Sequence, residues 1–156
     1  MNVFMPCKSI EESVRALDDK RLIKQILECM QIIEANTRVL DGEQNVGYAN
    51  HPVVSHYRYQ FYGELFIGQY ANACCFEYLY RFNKEHIYWD FFIPYGNIGA
   101  EVDFIYAEGS KNSPDCIRET DNEKVHELFK QKLIKKWNSD KYPPKWTNRE
   151  SPSWYK

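Results

Sequence analysis

Between positions 18 and 33 the chain reads DDKRLIKQILECMQII. At about 100° per residue, Leu22, Ile23, Ile26, Cys29, Met30 and Ile33 fall on one side, and Lys20, Arg21, Lys24, Gln25, Glu28 and Gln31 on the other. This pattern predicts an amphipathic helix that begins at Asp18 or Asp19 and fades near 36–40. Before it, Asn2 to Met5 read as a short extended lead-in closed by Pro6, and Ser9-Ile-Glu-Glu12 is a capping-box pattern that predicts a short helix over 10–17. The stretch 41–48 has loop composition.

Asn50-His51-Pro52 predicts the next helix start, with Asn50 as the cap and proline in the first turn. From 53 to 82 the chain has no proline and is dense in aromatics, which reads as a buried helical run rather than as strands. Gly63 and Gly68 there mark close approach of another backbone, and Glu77 and Arg81 form an i,i+4 pair. The stretch 87–98 is apolar and irregular, and 100–115 has the character of a surface loop. Thr120-Asp-Asn-Glu123 is a second capping box, predicting a basic amphipathic helix over 122–137. The closing stretch 138–156 has three prolines and no periodicity. Helices dominate, so the expected class is all-α, in one domain over 1–156.

Composition changes this picture in two ways. The five cysteines include no Cys-x-x-Cys pair, which reads as reduced thiols in a cytoplasmic protein, with Cys74 and Cys75 as small buried hydrophobes. No apolar run is long enough to span a bilayer and no signal-peptide pattern opens the chain. Net charge is only −2, but 124–156 holds nine Lys/Arg against three Asp/Glu, a local +6 that leaves about −8 on the remainder. That asymmetry points to an anionic partner, whereas the total argues against broad, non-specific duplex binding.

No Walker loop, dinucleotide fingerprint, His-Glu-x-x-His or nucleophile elbow is present, and His51, His56, His86 and His126 lack metal-ligand spacing. Phosphoryl transfer and zinc hydrolysis are therefore without support, and neither metal nor cofactor is expected. Three features carry chemistry. The Arg21/Lys24/Glu28 face places a carboxylate beside cations, where it could steady a developing positive charge or accept a proton; its plainer reading is a solvated helix face. The Asn50-His51 helix start could bind an anion such as phosphate, or be a simple cap. In the tail, Trp146, Trp154 and Tyr155 alternate with Lys141, Lys145, Arg149 and Lys156. This suits stacking on bases and pairing with phosphates, or else indoles that pack on the protein's own core.

In this order the features resemble the phage pyrimidine-dimer DNA glycosylase family (endonuclease V type) and small phage proteins related to it. The likeness rests on Asn2-Val-Phe, on Leu17-Asp-Asp-Lys-Arg-Leu-Ile-Lys-Gln-Ile-Leu-Glu28, on Phe61-Tyr62 with Glu77-Tyr78, and on Pro152-Ser-Trp-Tyr-Lys156. The resemblance implies a compact all-helical domain whose N-terminal α-amine attacks a deoxyribose C1′ with a glutamate assisting, releasing the base through a Schiff base and cutting the strand by β-elimination. It assigns the glutamate's part to Glu28, polar positions of the same helix to Arg21 and Gln25, and the aromatic tail near DNA to Trp154-Tyr155-Lys156. Asn2 is too bulky for efficient removal of the initiator, so Met1 is expected to present the amine. Position 27 is leucine where the family carries arginine. Two further readings stay open. One is a phage anti-defence protein, non-enzymatic and homo-oligomeric, that sequesters a cyclic-nucleotide or ADP-ribose-type signal in the same pocket of a host's cytoplasm. The other is a plain interaction module.

Overall fold

The computed structural model describes residues 1–59, 62–96 and 121–155, and among them every regular element is helical. The order is α1 (Ile10–Ala16), α2 (Asp19–Leu40), α3 (Pro52–Arg58), α4 (Gly63–Phe82), α5 (Trp89–Phe92) running into a 3-10 turn (Ile93–Tyr95), and α6 (Asn122–Ser139). The class is all-α. The loop expected over 100–115, Phe61 and the C-terminal Lys156 lie outside the described residues.

Helices α2 and α4 form the central pair, with α1, α3 and α5 packed on α4. Their shared core holds Leu22, Ile26, Cys29 and Ile32 from α2 and Ile67, Tyr70, Ala71, Cys74 and Cys75 from α4, all essentially inaccessible to water. Each such aliphatic side chain contributes roughly 1.5–3 kcal/mol by leaving solvent. Helix α6 adds Val125, Phe129, Leu133 and Trp137. Arg81 is a polar pin in this core: it donates to the Leu17 and Arg15 carbonyls at the end of α1, to Asp19 at the start of α2 and to Glu77 on its own helix. The expected Glu77–Arg81 pair is thus present, and it is buried.

The N-terminal segment passes through this core as an extended chain, with Val3, Phe4, Met5 and Pro6 buried. A buried backbone outside a sheet needs other partners for its N–H and C=O groups. Here three helices provide them through side chains. Gln25 of α2 donates to the Asn2 carbonyl and accepts from the Phe4 N–H. The Tyr70 hydroxyl of α4 donates to the Phe4 carbonyl at 2.7 Å, and His126 of α6 meets the Met5 carbonyl through Nδ1 at 2.7 Å.

Helix α2 ends at Leu40, inside the range expected for it, but several other expectations are corrected. Its polar side is not a solvated face: Arg21, Gln25 and Glu28 are buried, whereas Ile23, placed by the wheel on the apolar side, is 42% exposed. The N-terminal segment lies along Gln25 and Glu28 and claims their hydrogen bonds, while Arg21 is taken by Asp18 and Asp140. The aromatic run 53–82 is two helices, not one, because α3 ends at Arg58 and α4 begins at Gly63. The cap of α3 is His51 rather than Asn50. Asp121 caps α6 with its side chain, and the helix extends to Ser139. At Gly63 the close neighbour is backbone as expected: an added Cβ would sit 2.0 Å from the Tyr57 carbonyl oxygen. At Gly68 it is the Tyr95 ring instead, 2.1 Å away.

Candidate active site

The extended segment ends, at its free end, against Glu28. The Met1 nitrogen lies 3.8 Å from Glu28 Oε1 and 3.3 Å from His51 Nε2. Glu28 is 5% exposed and is held from several sides. Its Oε2 accepts from the Asn2 N–H at 3.2 Å and from Gln25 Nε2 at 2.9 Å, and Lys24 Nζ stands 3.6 Å from Oε1. The Met1 side chain is 3% exposed and packs on the core, so the amine is anchored by burial of its own residue as well as by the backbone behind it.

Gln25 makes this arrangement specific. Its amide donates both protons, to Asn2 O and Glu28 Oε2, while its oxygen accepts from Phe4 N–H and lies 3.3 Å from the Tyr70 hydroxyl. The reversed amide would set an NH2 against the Phe4 N–H, donor against donor, so the orientation is determined. On the far side, His51 Nδ1 accepts from the Val53 N–H at 3.2 Å. Burial pushes the His51 imidazole below its ordinary value, against the opposing pull of Glu28.

Met1, Lys24, Gln25, Glu28 and His51 are therefore brought together. Arg21 sits one turn away with other partners, Asp18 and Asp140. Burial works against its charge, but the hydrogen bonds and charges of those two carboxylates raise the guanidinium above its usual value. Asn50 is exposed at the loop end. The N–H offered to phosphate at the start of α3 is already taken by His51.

The tail is placed elsewhere. Trp154 stacks on Trp137 of α6 with ring centroids 5.5 Å apart, and Tyr155 and Trp146 meet the same indole edge-on. Trp146 Nε1 donates to the Ala16 carbonyl. Arg149 grips both oxygens of Glu77 and lies 3.8 Å from the Tyr80 ring centroid. Lys145 keeps an exposed side chain while its carbonyl accepts from the Asp19 N–H. Trp137 in turn donates to Asp18, which also takes Arg21, so the tail's cluster abuts the start of α2.

The basic amphipathic helix expected over 122–137 is α6, and its Lys136 feels the charges of α2. Lys136 has a lowered value, first through burial and then through the positive charges of Arg21, Lys24 and Lys132, with Glu28 pulling the other way. Cations of α2 and α6 thus act on one another, with Lys24 the one that pairs with Glu28. The sequence signals for this were the basic helix and the +6 of the C-terminal stretch. No group of three or more His, Cys, Asp or Glu among the described residues could hold a metal ion, and no helix there is long and apolar enough to cross a membrane.

The class these features define is a small all-helical domain with an amine–carboxylate centre, built from the start of the chain and the face of its first long helix. The family model described as pyrimidine dimer DNA glycosylase matches residues 1–90, more than half of the chain, and the chain belongs to that family. The matched stretch contains Met1, Lys24, Gln25, Glu28 and His51, while α6 and the tail lie beyond it. Neither a curated protein nor a solved structure matches.

Proposed function

We propose that the protein is a DNA N-glycosylase with an associated lyase step, in which the Met1 amine is the nucleophile and Glu28 the proton-transfer group. The observation that carries this reading is the 3.8 Å separation of the Met1 nitrogen from Glu28 Oε1, at the end of a segment whose backbone is fixed by Gln25, Tyr70 and His126.

The amine lone pair attacks C1′ of the damaged nucleotide. The C1′–base bond breaks and its electron pair leaves with the base, while positive charge building on the sugar faces the Glu28 carboxylate. The new C1′–N bond leaves nitrogen with an excess proton, which Glu28 accepts and returns to the ring oxygen as the sugar opens to the imine. Loss of a C2′ proton then expels the 3′ phosphate, and water hydrolyses the imine to free the amine. Lys24, exposed beside Glu28, and Lys136 from α6 are assigned to backbone phosphates, with exposed Lys145 as an outer contact. Trp146, Trp154 and Tyr155 pack on Trp137 and steady α6, with Arg149 tying the tail to α4.

Borohydride trapping on abasic and on dimer-containing DNA tests this. The wild type should give a covalent protein–DNA adduct, α-amine acetylation should abolish it, and Glu28→Gln should lower the trapping rate by about a hundredfold or more. No adduct with either DNA, with acetylation making no difference, would remove the reading. Intact nucleotide released on heat denaturation would then favour the sequestering alternative.

A further inference from the structure

His51 has two ring nitrogens and two fixed partners, and together they constrain the proton state of its neighbour. Nδ1 accepts the Val53 N–H, so it carries no proton and a neutral imidazole must carry its proton on Nε2. The atom facing that Nε2–H, 3.3 Å away, is the Met1 nitrogen. An ammonium has only protons to offer and cannot accept, whereas a free amine has a lone pair. Both contacts coexist only when the amine is the free base.

We propose that His51 is a positioning residue that caps α3 with one nitrogen and, with the other, holds the chain's own amine as the free base with its lone pair directed. Its catalytic meaning rests on the lyase reading above; its effect on the amine does not. Rotation about the Met1 N–Cα bond swings the lone pair from Nε2–H toward an incoming C1′ while the buried side chain stays in place.

The groups that face the amine are Glu28 of α2 and His51 of α3. Glu28 attracts an ammonium, but its Oε1 is shared with Lys24 and its Oε2 is occupied by Asn2 and Gln25. His51 adds a donor where an ammonium would need an acceptor. Removing His51 leaves the amine facing Glu28 alone.

The test is a pair of variants, His51→Ala and His51→Asn. Asparagine remains a good helix cap, so it preserves the start of α3 while withdrawing the Nε2–H. Reductive methylation of the α-amine, which consumes only the free base, is followed by peptide mass from pH 5.5 to 9, alongside thermal melting and borohydride trapping on abasic DNA. At pH 6.5 both variants should label about five- to tenfold more slowly than wild type and should converge with it at pH 9. Trapping should show the same pH dependence, which a merely structural role would not produce. Variants that melt like wild type and label along the same pH profile, or faster, overturn the proposal. If labelling shifts but no protein traps DNA, the proposal stands and the lyase reading falls; if wild type traps DNA and labelling is unmoved, the reverse holds.

Discussion

Gln25 is one side chain with four polar neighbours, Asn2, Phe4, Glu28 and Tyr70, and it is 1% exposed. Replacing it with leucine keeps volume but leaves the Phe4 N–H and the Asn2 carbonyl buried without their partner. At roughly 1–3 kcal/mol for each orphaned group, Gln25→Leu should cost about 3 kcal/mol in denaturant unfolding and loosen the amine. A loss under about 1 kcal/mol would mean the segment is held by Val3, Phe4 and Met5 packing alone. The resemblance marked Gln25 as a polar site position, but its role in holding the N-terminal segment was not visible in sequence. A helical wheel separates apolar from polar but cannot say whether water or a passing chain satisfies the polar side. Glu28 was legible because a family resemblance singled it out; the cap was assigned to Asn50 because the Asn-x-Pro spacing suits it, whereas a histidine nitrogen does the same work one residue later.

At the scale of elements, the chain's periodicity revealed α1, α2 and α6 with small errors at their ends, because each alternates faces at helical spacing. The division between α3 and α4 was hidden. Aromatic residues crowd the junction and no proline marks the turn; the cue is Gly63, whose missing Cβ lets α4 start against the Tyr57 carbonyl. Gly63→Ala must therefore displace backbone, not a flexible side-chain end. We expect about 1–3 kcal/mol of destabilisation. We also expect weaker trapping, since α3 carries His51. Thermal melting and trapping of this variant check both, and a neutral substitution would show that the corner can open without consequence.

For the whole molecule, the titrating groups set a stability window. Burial pushes His51, His56 and His86 below their ordinary values, with Lys84 adding to the effect at His86. The fold therefore prefers them neutral, and the stability tied to that state is present above about pH 6.5 and lost as pH falls below it. A second loss follows below about pH 4. There Asp140, held down to about 2 chiefly by its hydrogen bond to Arg21, takes up protons. So does Glu77, depressed by Arg149 and Arg81 despite its burial. On the alkaline side, burial raises Cys29, Cys74, Cys75 and Tyr70, so the stability they carry falls as pH climbs past their ordinary range of about 8.5–10. Melting temperature should then peak near pH 7–8 and drop in two stages toward acid. A melting temperature that rises from pH 7 to 5 would contradict this.

The charge imbalance also acts at this scale. The basic C-terminal stretch supplies Lys136, which feels the charges of Arg21, Lys24 and Glu28, and its aromatic residues close on Trp137, so the positive field comes from α6 while the indoles serve the core. The most direct test of the account is to trap the protein on abasic DNA with borohydride, digest it and locate the modified residue by mass spectrometry. The account predicts the deoxyribose remnant on the α-nitrogen of Met1; a remnant on any lysine side chain, or none at all, would contradict it.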